Sequence, residues 1–396
     1  MGFRLLLASL ILSFGNVALA QVYRPDFDPA YRPDPSSDEG GFWYQVDKLE
    51  LEIQASPYLI RDDRLNGYLR EIVCDLAGEY CDSIRVYLID NPHFNAGMYP
   101  NGLMMVNSGL LLRVENEAQL AAVLGHEIAH FLRSHQIKQW RSLRSSATAA
   151  VLLDVGITVL TGVSGIAQMG VIGAAQAYSR DHETEADLYG TQLLVETGYD
   201  PDQATRLWEL VALEREKDDS KQNRSAFLAS HPDIPDRLQN LRREAANYRA
   251  ALVGKPDFKA DRLLLYTSPH YFDFMKGHLQ LQEYGQTEVL LDRHEQLGYP
   301  PVLVEFFRGE LARLRRGEGD VDVAMSHYQR AVGMDSAPPV AYRELGYLQM
   351  KAGNFQSALH NFSSYLAAQP EASDHEMMRF YIQSLEQKQR KAGCRF

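Results

Sequence analysis

The amino-acid sequence predicts an α+β domain, mostly helical with one small sheet, followed by an all-α domain of paired helices. Three observations carry that expectation. Apolar residues recur at three- and four-residue intervals over 46–55, 63–76 and 117–137, as amphipathic helices require. Between these stretches, residues 84–89 are rich in β-formers, and 96–99, Pro100-Asn101-Gly102 and 103–107 read as strand, turn and strand. Beyond Gly254 the chain becomes helical and repetitive.

The composition limits what the chain can be. Its 396 residues carry 40 Lys+Arg against 52 Asp+Glu, with 45% hydrophobic and 23% charged residues. That balance excludes wholesale disorder, collagen-like repetition and a polytopic membrane protein. A net charge of −12 gives no electrostatic reason to bind nucleic acid. Three cysteines are too few for a disulfide scaffold or a four-thiolate metal site.

Each segment can then be taken in order. Arg4, the apolar run 5–12 and Ala18-Leu19-Ala20 are the three parts of a cleaved signal peptide over residues 1–20. Export to an oxidising compartment follows, and disulfides become permitted there. Cys74 and Cys81 are then either a disulfide or two buried thiols, and Cys394 has no evident partner. Residues 21–42, with Pro25, Pro29, Pro33 and Pro35, read as an extended tether. Residues 43–250 read as the α+β domain. Within it, 148–178 holds a single charge, Asp154, and is dotted with glycines. It is either a membrane span or a small-residue helical hairpin beside the site, so peripheral membrane contact stays open.

Residues 255–396 form the helical domain. Tyr342, Leu345, Gly346, Ala358, Phe362 and Pro370 fall where the tetratricopeptide pattern of about 34 residues wants them. One period earlier, Leu311, Ala312, Ala324 and Tyr328 occupy the equivalent sites. A tetratricopeptide-like domain is a surface for a partner.

Chemistry concentrates at His126-Glu127-Ile128-Ala129-His130. Histidines at i and i+4 share one helix face and can ligate one zinc, with Glu127 beside them to reach a water. A catalytic zinc needs a third protein ligand and an open position. Glu183 and Asp187, one helical turn apart, can divide the work: one binds zinc while the other accepts a hydrogen bond from a ligand histidine. His182 competes as a ligand by chemistry alone, although two histidines with Glu183 match a hydrolytic set better. Glu185 reads as a solvated surface acid.

These motifs resemble those of the M48 family of zinc metallopeptidases. The likeness rests on His126–His130, on Glu183-Thr-Glu-Ala-Asp187, on Asn95-Ala96 with Asn101-Gly102, on Ser108-Gly109-Leu110-Leu111, and on Ser230-His231-Pro232 with Arg237. It implies an α+β zincin-like peptidase domain binding one Zn2+ through His126, His130 and Glu183. It further implies Asp187 as the orienting or proton-donating acid, and residues 103–107 as the edge strand beside the cleft.

In the mechanism such a site supports, Glu127 accepts a proton from water, and Glu127 or Asp187 returns one to the leaving amine. His231 and Arg237 are candidate donors to the oxyanion. His231 alternatively fills the open zinc position and keeps the enzyme latent. The expected activity is an envelope endopeptidase acting on misfolded or stalled exported and outer-membrane proteins. The repeats would reach outer-membrane assembly machinery. The competing expectation is a tetratricopeptide-based chaperone or adaptor whose peptidase is latent.

Overall fold

The computed structural model describes residues 22–144, 178–217, 231, 237–251 and 258–393. Residues 1–20, expected as a signal peptide, the glycine-dotted stretch before Tyr178, and Cys394 lie outside them. Among the described residues, no helix is long and apolar enough to cross a membrane.

The sheet sits between helices because its side chains alternate. β1 (Arg85–Ile89) runs parallel to β3 (Leu103–Asn107), and β2 (Ala96–Met98) runs antiparallel to β3 on the other side. On one face Ile89, Tyr99 and Leu103 pack against Val46, Leu49 and Ile53 of α1 (Asp38–Ala55). On the other, Leu88, Met104 and Val106 join the main core with Leu69, Ile72 and Leu76 of α2 (Asp63–Ala77). A period of two delivers both sets from the same strands. Each such side chain, once buried, contributes roughly 1.5–3 kcal/mol.

The strand order β1-β3-β2 corrects the expectation that residues 103–107 form the edge. β3 is paired on both sides, because β1 reaches it by a parallel connection that no local turn signal announces. The open edge belongs to β2. Tyr99 N–H donates to Leu103 O and Asn107 N–H to Asn95 O, so the backbone groups of Ala96 and Met98 point outward.

α3 (Ser108–Arg113) leads into α4 (Glu117–Leu132), which is capped by Asn116 accepting from Gln119 N–H and is buried along its whole length. A helix buried all round is a core helix, and α4 is the axis of the domain. Arg133 ends it, Ser134 takes a positive φ, and α5 (His135–Arg144) departs in a new direction. α6 (Arg180–Glu196), α7 (Asp202–Glu216) and α8 (Arg237–Ala251) complete this half.

The segment 21–42 is not an extended tether throughout. α1 begins at Asp38, and residues 22–37 are strapped to the domain. Tyr23 N–H donates to Gln192 Oε1 and Asp26 N–H to Leu132 O, while Phe27 packs edge-on against Phe131 and Tyr80. The aromatic residues among the prolines supply apolar area that a solvated linker would waste. Cys74 and Cys81 are joined as a disulfide, which resolves the alternative left by the sequence.

The C-terminal half begins with α9 (Ala260–Thr267), α10 (Tyr271–Leu279) and α11 (Tyr284–Leu297), whose Tyr271, Phe274 and Leu290 belong to the same core as Leu111 and Leu124. Two helix pairs follow, α12 (Pro301–Arg315) with α13 (Asp320–Val332), and α14 (Pro339–Lys351) with α15 (Phe355–Ala368). α16 (His375–Gly393) packs on the last. Where the halves meet, a buried ion group forms: Arg113 Nε lies 2.9 Å from Glu214 Oε2, Arg293 binds the other oxygen, and Glu283 stands behind Arg113. His294 Nε2–H donates to Leu112 O at 2.7 Å, and its Nδ1 accepts from Tyr271.

Candidate metal centre

α4 aims His126 and His130 from one face, as the i, i+4 spacing requires. α6 brings the carboxylates. It crosses α4 so closely that a Cβ on Gly190 would stand 3.0 Å from His126 N, so only glycine fits there without a shift. That approach places Glu183 and Asp187 against the histidines. His231 arrives from the far end of the domain.

Four buried residues, His126, His130, Glu183 and His231, bring ligand atoms to within 4.8 Å of one another. His126 Nε2 is 3.0 Å from His130 Nε2 and 3.3 Å from His231 Nδ1; Glu183 Oε1 is 3.0 Å from His231 Nδ1 and 3.4 Å from His130 Nε2. Tetrahedral zinc with bonds near 2.0–2.1 Å separates its ligand atoms by about 3.3 Å, so these spacings are the edges of such a site. Charge agrees. The buried carboxylates of Glu127, Glu183 and Asp187 outnumber the one buried guanidinium, Arg237, an acidic surplus that suits a cation. Glu127 Oε1 and Glu183 Oε2 also lack hydrogen-bond partners among the described residues. The group is able to hold one metal ion.

The ionisation states follow from burial and neighbours. Burial lowers His130 well below its usual value, so both its nitrogens serve as a neutral ring. Burial works to raise Glu183, yet His231 and His130 hold it well below the usual carboxylate range. Glu127 is raised, first by burial. His231, disfavoured as a cation by burial, is nonetheless raised by Glu183 and Glu127 on either side.

Comparison with known proteins agrees with this geometry. Residues 61–245 match the model of peptidase family M48. That match covers a little under half of the chain and includes His126, His130, Glu183 and His231. It is 27% identical over 262 residues to the β-barrel assembly-enhancing protease of Escherichia coli K12, covering 59% of this chain and 52% of that one. Against the enzyme of the same name from Yersinia pestis it is 28% identical over 206 residues, covering 49% and 42%. Against the mitochondrial metalloendopeptidase OMA1 of Schizosaccharomyces pombe it is 29% identical over 157 residues, covering 39% and 45%. The chain spans about half the length of the curated relatives it matches.

Around the metal group lies a set of supporting residues. Asp187 Oδ1 stands 3.0 Å from His126 Nδ1. Arg237 grips Asp187 with Nε and Nη2 at 2.7 and 2.6 Å and lies over Trp208. Arg237 thus holds Asp187 behind His126, while its Nη1 stands 3.3 Å from Glu183 Oε2 without a hydrogen-bond partner among the described residues. His231 Nε2 is 3.3 Å from Glu127 Oε1, so His231 touches both the metal group and the candidate base.

Three residues of the site were not singled out from the sequence. Tyr178 stacks on His130 at 3.8 Å. Gln136 donates to the outward carbonyl of Met98 on β2, while the outward Met98 N–H serves Glu127. His135 Nδ1 stands 2.9 Å from His130 Nδ1. His182, the competing ligand, stacks on His135 instead and stands outside the group. Glu185 is not a solvated acid: it binds Arg133 at 2.8 Å and His135 at 3.0 Å.

Proposed function

We propose that the chain is a zinc-dependent endopeptidase of the cell envelope that cleaves misfolded or stalled exported and outer-membrane proteins. The observation that carries this reading is Glu127, poised between a four-residue metal group and the open edge of β2. Zinc bound there supplies a Lewis acid for a water and a peptide carbonyl. Glu127, raised by burial, takes the proton from that water and can return it to the leaving amine. Asp187 fixes His126 in the form that offers Nε2. The outward backbone groups of Ala96 suit an extended peptide docked along β2, once those of Met98 exchange Gln136 and Glu127 for substrate, which favours unfolded segments over folded domains.

The envelope assignment draws on the signal-peptide pattern of residues 1–20 and on the Cys74–Cys81 disulfide, which suits an oxidising compartment. The names of the bacterial relatives, proteases that enhance β-barrel assembly, support the substrate class. The paired helices α12–α15 support a tetratricopeptide-like partner surface, for outer-membrane assembly machinery among others. Gly346 leaves no room for a Cβ against the Phe362 ring at 2.7 Å, the small-against-aromatic fit such hairpins use.

Replacing Glu127 by Gln is expected to abolish cleavage of an unfolded protein such as casein while zinc stays near one equivalent. Unchanged cleavage rejects Glu127 as base and this reading with it.

A second reading is favoured by His231. A catalytic zinc site keeps one position open, yet here four protein groups converge. In this reading the chain is a chaperone or adaptor with a latent peptidase, opened when His231 leaves. The spectrum of the cobalt-substituted site should change in H231A. An unaltered spectrum removes His231 from the metal. Rescue of an envelope-assembly defect by E127Q would favour the adaptor role.

A further inference from the structure

We propose that His135 and Glu185 are positioning residues that act in series to hold the metal ligand His130 in its metal-binding form. This rests on the metal reading above and extends it. For His130 to offer its Nε2 lone pair, the ring proton must sit on Nδ1, and Nδ1 faces His135 Nδ1 at 2.9 Å. His135 therefore accepts there and carries its own proton on Nε2, which points at Glu185 Oε2 at 3.0 Å. Glu185 Oε1 in turn accepts from Arg133 Nε at 2.8 Å. Every proton in the chain has one acceptor: donation runs from His130 to His135 to Glu185, and Arg133 donates into Glu185 from the far side.

The two ligand histidines of α4 are thus oriented from one helix by different means. α6 reaches His126 directly through Asp187, whereas it reaches His130 through His135, using Glu185 two positions earlier. The intermediary is needed because Glu185 projects from another side of α6 than Glu183 and Asp187 do. His135 bridges the difference because the chain breaks at Ser134 and swings back beside His130. His135 is fully buried and stacked on His182, so its ring is held in plane for both contacts.

Zinc affinity of the full mature chain, measured by competition with a chromophoric chelator, tests this. H135L should weaken zinc by about 10–100-fold, the usual cost of removing such a partner. H135N, whose Oδ1 replaces the Nδ1 acceptor, should recover affinity to within a few-fold of wild type. E185L should weaken zinc less than H135L does, and the H135L/E185L double variant should bind no worse than H135L alone. In metal-free protein labelled with 15N-histidine, His130 should keep its proton on Nδ1 in wild type and H135N and shift toward Nε2–H in H135L. Equal affinities for H135N and H135L reduce His135 to packing and overturn the proposal. So do additive losses in the double variant, or wild-type affinity in H135L. A wild-type chain that takes up no zinc overturns the metal reading itself, and this inference falls with it.

Discussion

Two regions of the molecule bury charge, and they resolve it in opposite ways. At the junction of the halves, Arg113, Arg293, Glu214 and Glu283 balance one another, and each guanidinium has a carboxylate within reach. At the metal group, carboxylates outnumber guanidinium and polar atoms are left unpaired. The first region is balanced in charge as folded protein, even though Arg293 Nε and Nη1 also lack hydrogen-bond partners among the described residues. The second is complete only with a cation from outside. Burial of ions is therefore no sign of function by itself; an imbalance in buried charge is.

That contrast is most sharply tested at Glu214. E214Q leaves two buried guanidiniums short of a carboxylate and should cost about 3–5 kcal/mol in denaturant unfolding. Zinc uptake should be unchanged. A variant as stable as wild type would dissolve the distinction from the junction side.

From the other side, zinc at about 100-fold above its Kd should stabilise the chain by ~2.7 kcal/mol, read as a shift in thermal unfolding. The shift should persist in E214Q, since the sites are independent. D187N comes next. Losing the partner of His126 should weaken zinc by about 10–100-fold, or ~1.4–2.7 kcal/mol, in chelator competition.

The smallest effect is a pH slope at the junction. Burial pushes His294 down to about 3, so the folded chain leaves it neutral while the unfolded chain protonates it near pH 6.5. Its contribution is intact above pH 6.5 and is lost as pH falls from there toward about 3. H294N in zinc-free buffer should lower the slope of stability in that window by up to ~1.4 kcal/mol per pH unit. Parallel curves for the two proteins would show that His294 titrates normally.

What the sequence made legible follows from the range of the interactions. The pairing of His126 with His130, and of Glu183 with Asp187, is local, because helical periodicity alone sets which side chains meet. The β2–β3 hairpin was readable for the same reason, through Pro100-Asn101-Gly102. The parallel docking of β1 was not, since it depends on how α1 and α2 sandwich the sheet. Glu185 was misread because its helix face was assigned correctly and its neighbour was not: α5 turns at Ser134 and covers it. A histidine just past the end of the α4 helix was the available signal for His135, but nothing in spacing says that a broken helix folds back on itself. Tyr23 and Phe27 looked like linker residues because prolines surround them, while their partners lie on α4 and α6.

The place of His231 beside the metal group bears on how the site would answer a chemical probe. If His231 Nδ1 takes the fourth zinc position, as the second reading holds, a hydroxamate that needs that position engages only molecules in which the histidine has moved away. Its apparent Kd is then the intrinsic value divided by the open fraction. If one molecule in a hundred is open, a tight inhibitor looks about 100-fold weaker than it is. The inhibitor becomes a gauge of latency. Comparing its affinity for wild type and H231A would report the open fraction of the resting chain as a number.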